Sequence, residues 1–369
     1  MKDEKFRKKR LNCYLPYLYY FRHYILLIKY IYLLICCKIT TTKLNNYVSE
    51  IRLVILGNGT QKILNNSYYL EPSKVIVNGI ERSDCKKSCD FEEEENNIIL
   101  YFNEVVNSCQ NMFSYSSTIT EIDVSNFDFS NVITMKEMFF HCSILTSINF
   151  GNINTSSVRS IQTMFCGCKQ LKSVDISKLN TSSVTNMFST FYNCINLISI
   201  NLSNFNTKNV ETLRSFFNNC QQLTSVDLSN FDTSKVTTMY FTFINCHNIR
   251  TINLGNMNTT SVETMESMFA RCYNLTSINI SSFDISSVKT MFHMFFHCYS
   301  LTSIIFPEKM ETSNSLIMSY MFSHCKSLVY LNFSNFIANN IVNLRYMFNN
   351  CTNLKYIDIS HFSSTNLKS

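Results

Sequence analysis

Val262 to Ser287 reads VETMESMFARCYNLTSINISSFDISS, and the same pattern returns every 26 residues from about Val106 to the C-terminus. The Phe of its Met-Phe pair recurs as Phe113, Phe139, Phe165, Phe191, Phe217, Phe243, Phe269, Phe295, Phe322 and Phe348, with one step of 27 residues among steps of 26. A period of this length marks a solenoid of stacked coils. Ten recurrences predict ten coils.

Within the unit, Val262, Met265, Met268, Phe269 and Cys272 follow one another at steps of three and four, the spacing of one face of a helix. That spacing predicts a short helix with its apolar stripe inward. Thr260 is its expected N-cap, with Glu263 three residues on, and Ser130, Ser156, Ser182, Ser234 and Ser286 hold the matching place in other units. After Cys272 the period changes to two. Ile278 and Ile280 alternate with Ser277, Asn279 and Ser281, which predicts a short strand with one apolar and one polar face. One such helix and strand cannot bury their own apolar faces, whereas stacked copies pair each strand in parallel with the next. The expected fold class is α/β, a solenoid of about ten 26-residue coils with a parallel sheet on one face and short helices on the other. An all-β solenoid is the alternative, because a helix of about ten residues is marginal by itself.

At these residues the chain resembles the leucine-rich repeats, whose L-x-x-L-x-L pattern is matched by Leu223-x-x-Val226-x-Leu228 and by Leu275-x-x-Ile278-x-Ile280. More narrowly, V-x-x-M-x-x-MF-x-x-C-x-x-L-x-x-I-x-L-S-N-F-D-T-S looks like the 26-residue repeat of the BspA-like surface proteins of bacteria and protists, over Val106 to about Phe362. The resemblance implies a leucine-rich-repeat-like solenoid, and a protein of the cell surface or extracellular space that mediates adhesion. One departure concerns the turn after the strand. Phe127, Phe205, Phe231, Phe283 and Phe336 stand where usual leucine-rich repeats place Asn or Cys, so the turn must be built differently. Asn126, Asn204, Asn230 and Asn335, one residue earlier, carry amides suited to its backbone groups.

The 369-residue chain is 46% hydrophobic with a formal charge of +6, and Met1 to Arg10 alone holds six basic and two acidic residues. The remainder is close to neutral and lacks the broad basic face that nucleic acid requires. Residues 1–46 read as a basic leader followed by a signal- or anchor-like segment rich in Leu, Ile and Tyr, through which the chain would meet a membrane. Pro16, Arg22, His23 and Lys29 interrupt that segment, and its longest uncharged run, Tyr30 to Cys37, is shorter than the roughly 20 residues of a spanning helix. Residues 47–105 lack the repeat. Ile51, Leu53 and Ile55 alternate with other residues, Lys74 to Val77 precedes Asn78-Gly79, and Ile98 to Phe102 is apolar, which predicts a small β-rich N-terminal cap with a turn at Asn78-Gly79. The solenoid then occupies 106–363 and a tail 364–369. At Pro307 the next Phe arrives one residue late, so a bulged loop is expected there, with the strand ending at or before the proline.

Of the sixteen cysteines, Cys142, Cys168, Cys194, Cys220, Cys246, Cys272, Cys298, Cys325 and Cys351 form one column of the repeat. Free cysteine packs as a small buried hydrophobe, and Ser116 fills the place in the first coil, so the column asks for smallness rather than for a thiol. Single thiols 26 residues apart do not converge as zinc ligands. Cys85, Cys89 and Cys109 stand outside the column as possible disulfide cysteines of the cap, with their pairing open. His141, His297 and His324 precede column cysteines, but no third residue recurs to orient a Cys/His pair. No paired-carboxylate, H-E-x-x-H or phosphate-cradling Gly pattern occurs. The chain is expected to be no enzyme and to carry no cofactor or metal.

What remains is the outer face of the strand. Ser147, Ser173, Ser199, Ser225, Ser277 and Ser303 form one column, and Asp123, Asn149, Asp175, Asn201, Asp227, Asn253, Asn279, Asn332 and Asp358 form another beside it. Such a surface suits extended protein or glycan ligands held by many weak contacts. With the resemblance, this predicts a secreted or surface-anchored recognition and adhesion protein. An intracellular protein-interaction scaffold and a structural surface coat are the alternatives.

Overall fold

Stacking supplies what one repeat lacks, a partner for each backbone edge and each apolar face. The computed structural model describes residues 49–312, 315–338, 341–360 and 362. The leader expected over 1–46 and the tail expected over 364–369 lie outside the described residues. Strands β1 (Ser49–Leu56), β2 (Gly59–Lys62), β3 (Lys74–Val77), β4 (Ile80–Glu81), β5 (Ser88–Phe91) and β6 (Glu95–Phe102) precede the repeat. The coils contribute β7 (Ile119–Asn126), β8 (Ser147–Asn149), β9 (Ser225–Asp227), β10 (Thr251–Asn253), β11 (Ser277–Asn279) and β12 (Ser303–Ile305). In β8 to β11 the central Ile or Val is buried between two exposed residues. β9 pairs in parallel with β10, and β11 with β12, each residue opposite its counterpart in the next repeat. A second parallel ladder runs without a break from Thr134 through Ser160, Asn186, Thr212, Thr238, Thr264 and Thr290 to Ile317.

No α-helix occurs among the described residues, which overturns the expected α/β class and its helical face. Val262, Met265, Met268, Phe269 and Cys272 are buried as a stripe, but the backbone that carries them is a run of turns. The N–H groups of Met265, Ser267, Phe269 and Arg271 donate forward to the carbonyls of Thr290, Phe292, Met294 and Phe296 in the next coil. Those of Met268, Ala270 and Cys272 donate back three residues within their own coil. Left-handed φ values of 53° at Ser267 and 59° at Arg271 interrupt helical bonding every fourth residue. A lone helix of this length gains little by itself, whereas the neighbouring coil offers every second amide a carbonyl. Thr260 therefore caps no helix. Its N–H and hydroxyl donate to Asn258 Oδ1 at 3.0 and 2.8 Å, and Glu263 pairs with Lys289 of the next coil at 2.7 Å.

The core is one aromatic stack. Successive rings from Phe113 to Phe348 lie 5.3–5.9 Å apart with interplanar angles of 1–19°. Those nine steps give a β-solenoid of about nine turns, one fewer than the ten coils counted from the sequence. Two polar rails cross the coil interfaces. The buried hydroxyls of Thr155, Thr181, Thr207, Thr233 and Thr259 each donate to a carbonyl 25 residues on, at 2.6–3.2 Å. Thr155, Thr181 and Thr259 also accept the N–H of that same residue at 2.7–2.8 Å.

The nine column cysteines are free thiols, and each donates its S–H to a core Phe carbonyl of the preceding coil at 3.0–3.2 Å. The column thus asks for a donor as well as for small size. Ser116, which fills the place in the first coil, has a buried hydroxyl without a partner among the described residues. The Phe-containing turn uses amides, as expected at two positions: Asn204 donates to Ser177 O, and Asn230 to the carbonyls of Leu202, Ser203 and Phe205.

β1 lies antiparallel to both β6 and β7, and β7 parallel to β8, so the sheet order β4-β3-β6-β1-β7-β8 carries the hydrogen bonding of 49–102 into the first coil. Ile51, Leu53 and Ile55 of β1 are buried together with Ile98, Leu100 and Phe102 of β6. This apolar layer belongs to one hydrophobic cluster with the core of the coils. β3 and β4 are joined by Asn78-Gly79 with φ of 51° and 84°, the positive pair that a tight two-residue hairpin turn requires. Cys85 and Cys89 are joined by a disulfide, while Cys109 is free and buried.

β12 ends before Pro307, and the coils that follow add β13 (Met310–Thr312), β14 (Leu316–Ile317), β15 (Tyr330–Asn332), β16 (Phe336–Ala338), β17 (Ile341–Asn343) and β18 (Tyr356–Asp358). They pair in parallel as β13 with β16, β14 with β17, and β15 with β18. Among the described residues no helix is long and apolar enough to cross a membrane.

Candidate binding face

An Asp or Asn at the end of a short strand can close the following turn with its own side chain. All nine residues of the column do so. Oδ1 of Asp123, Asn149, Asp175, Asn201, Asp227, Asn253, Asn279, Asn332 and Asp358 accepts the N–H of the residue two positions on, at 2.7–3.1 Å. One side-chain oxygen is therefore structural at every position. The other polar atom remains on the face, and from Asn149 to Asn332 these residues are exposed. A second column does the same at the next corner, where Asp128, Asn154, Asn180, Asn206, Asp232, Asn258 and Asp284 each accept the N–H of the residue two on.

The ionised state of the face follows from these bonds. Hydrogen bonds from Ser177 and Ser229 hold Asp175 and Asp227 below the usual carboxylate range. Burial pushes Asp123 up, but hydrogen bonds from Ser125 and Asn149 and the charge of Arg52 outweigh it, and its carboxyl too is held down. Asn149 Nδ2 donates to Asp123 Oδ2 at 3.1 Å. Over six consecutive coils the column alternates Asp and Asn, from Asp123 to Asn253, which spares the stack like charges on neighbouring strands. Ile305, 57% exposed, takes the place of the polar residue in one coil and breaks the column.

Where the antiparallel strands β6 and β1 meet β7 and β8, the face deepens into a concavity of about 420 Å³. Arg52, Val54, Asn97, Ile99, Glu121 and Asp123 line it, with Ser147 and Asn149 at the edge of the first coils. Arg52 stands opposite Asp123 in the β1–β7 register and is held by Glu50 at 2.6 Å. Donors and acceptors of both charges thus surround a partly apolar floor. Sequence reasoning placed Asp123 and Asn149 on the face but missed Arg52, Asn97 and Glu121. Their juxtaposition depends on an antiparallel register between residues 43 (Val54 and Asn97) to 71 (Arg52 and Asp123) positions apart, which no local pattern encodes. Among the described residues no group of three His, Cys, Asp or Glu side chains converges to hold a metal ion.

Solved structures with a similar arrangement include a leucine-rich repeat protein from Bacteroides ovatus, 19% identical over 82% of this chain and 90% of that one, with a TM-score of 0.34. A T. pallidum leucine-rich repeat protein is 19% identical over 56% of this chain and 83% of its own, with a TM-score of 0.32. An internalin from Listeria monocytogenes is 12% identical over 66% and 87%, with a TM-score of 0.26. No curated protein matches the chain. One family model matches three times, over residues 107–226, 212–328 and 273–369, so that its matches cover the entire repeat region. The chain accordingly belongs to the DUF285 family, described as a Mycoplasma protein of unknown function.

Proposed function

We propose that the protein is a non-enzymatic recognition module of the cell surface or extracellular space, binding an extended protein or glycan ligand along the Ser and Asp/Asn columns. One end of the ligand would sit in the concavity beside β1 and β6. The observation that carries this is the fixing of nine polar side chains, seven of them exposed, by their own turns. A face already immobilised loses little side-chain entropy when a ligand docks. The likeness of the repeat to that of BspA-like surface proteins supports adhesion as its role, and the basic-then-apolar leader read over 1–46 supports placement at the surface.

The test blocks the face without touching its turns. Ser173→Trp, Ser225→Trp and Ser277→Trp together place bulk on exposed positions beside the Asp/Asn column. The full chain and this variant are compared for attachment to cells and for binding to glycan and peptide arrays, with circular dichroism as the control for fold. Loss of attachment by a folded variant supports recognition through this face. Undiminished attachment rules the face out, and retention of the full chain in the cytoplasm rules out the surface placement.

A further inference from the structure

The run of turns forms a second long edge of the solenoid, separate from the strand face. Over its last coils this edge reads ESMFARCYNL (266–275), FHMFFHCYSL (292–301), SYMFSHCKSL (319–328) and RYMFNNCTNL (345–354). Glu266 is the single acidic residue in these four segments, against Arg271, His293, His297, His324, Lys326 and Arg345. Arg271, His297 and His324 occupy the same place in successive repeats. The rings of His297 and His324 lie face to face, centroids 4.2 Å apart and planes within 14°. Lys326 Nζ sits 5.2 Å from the ring centre of Tyr299.

A hydrogen bond sets the tautomer of His324. Asn350 Nδ2 donates to His324 Nδ1 at 2.9 Å, which leaves the proton of the neutral ring on Nε2. His297 Nδ1 is bonded to the Tyr299 hydroxyl, which can donate to the neutral ring or accept from the charged one. Neither Nε2 has a hydrogen-bond partner among the described residues, and both side chains are half-buried and open to solvent. The Nε2 atoms of two imidazoles one coil apart, with Arg271 a coil earlier and Lys326 two residues later, face a surface without a carboxylate to answer them.

We propose that His297, His324, Arg271 and Lys326 form a site for a doubly charged tetrahedral oxyanion, a phosphate or sulfate group, whether free or carried on a larger ligand. The electrostatics of the cluster agree. Burial, then His324, Arg271, His293 and Lys326, push the His297 ring down to about 4, and no carboxylate opposes them. The Tyr299 hydroxyl bonds His297, Tyr320 packs against His293, and Glu266 does not enter the balance at His297. A bound dianion reverses each of these repulsions.

The experiment follows the ring C–H signals of the full chain by NMR through a pH titration, in sodium sulfate and in sodium chloride of equal ionic strength. The midpoint of His297 should rise by about one unit or more in sulfate, the equivalent of roughly tenfold tighter anion binding to the charged ring. His141 holds the same repeat position two coils from the start but has Gly167 after it, and its midpoint should stay put. Equal movement of both histidines, or none, overturns the site. A His297→Asn/His324→Asn double variant, folded by circular dichroism, should lose sulfate binding. Heparin then distinguishes the source: binding of this sulfated polymer far tighter than inorganic sulfate, and lost in the double variant, identifies a polymer-borne group. Comparable affinities, also lost in the variant, identify the free ion. Heparin or sulfate binding that survives in the double variant counts against the site.

Discussion

Replacing Thr259 by Val keeps the shape of the side chain and removes its hydroxyl. Thr259 is 0% exposed, and its Oγ1 donates to Asp284 O and accepts Asp284 N–H, both at 2.7 Å. Packing scarcely changes, but two backbone groups at the coil interface lose their partner. Each hydrogen bond contributes about 1 kcal/mol net, and each buried group left unpaired costs about 1–3 kcal/mol. The expected loss is about 2–4 kcal/mol, confined to the interface between two neighbouring coils. Thr259→Ser keeps the hydroxyl and removes one methyl, a loss of about 1 kcal/mol. Val should therefore be worse than Ser, the reverse of the order set by apolar burial alone. Urea unfolding followed by circular dichroism measures the difference. Because stacked repeats can unfold in parts, hydrogen exchange at the Asp284 amide provides the local readout, with protection lost in Val and kept in Ser. A Thr259→Val protein as stable as the parent, or more stable than Thr259→Ser, refutes the role of the hydroxyl rail.

Three further outcomes are expected. Burial pushes the thiols of Cys142, Cys246 and Cys298 up to about 12, so native alkylation followed by mass spectrometry should spare them and, among the described free thiols, label the half-exposed Cys351 first. At Asn245, φ is 63°, so Asn245→Gly should stay within about 1 kcal/mol of the parent in urea unfolding, while Asn245→Val should lose about 1–2 kcal/mol or more. His141, His247 and His293 are held below the usual imidazole range, and His297 down at about 4, mainly by burial. The unfolded chain then takes up more protons than the native one as pH falls from about 6.5 toward 4. Thermal unfolding at intervals across that window should show stability falling with pH, and a flat profile would refute the shifts.

The 26-residue period, the inward stripe and the Phe column were all legible, because stacking repeats the same burial in every coil. The helix was not there to be read. Spacing at three and four marks one face of a helix, but the turn run places Met265, Met268, Phe269 and Cys272 on one face equally well. A signal against the helix lay in the column Tyr115, His141, Gly167, Asn193, Asn219, Asn245, Arg271, His297, His324 and Asn350, all at positive φ and, Tyr115 and Arg271 apart, of types that tolerate it. The Asp/Asn column was visible, and its recurrent Ser or Gly two residues on marked the turn it closes. The concavity was not visible, since Arg52 and Asp123 meet only through the β1–β7 register.

In every turn run from Phe113 to Phe322, the core Phe and its alternate neighbours send their N–H groups forward into the following coil, as Phe113 does to Met138 O and Phe322 to Met347 O. Peptide dipoles aligned in this way add, as they do along a helix, and their positive end points toward the later coils. The rod thus has an electrical direction along this edge, set by backbone rather than by side chains. The coils that carry His297 and His324 lie toward its positive end.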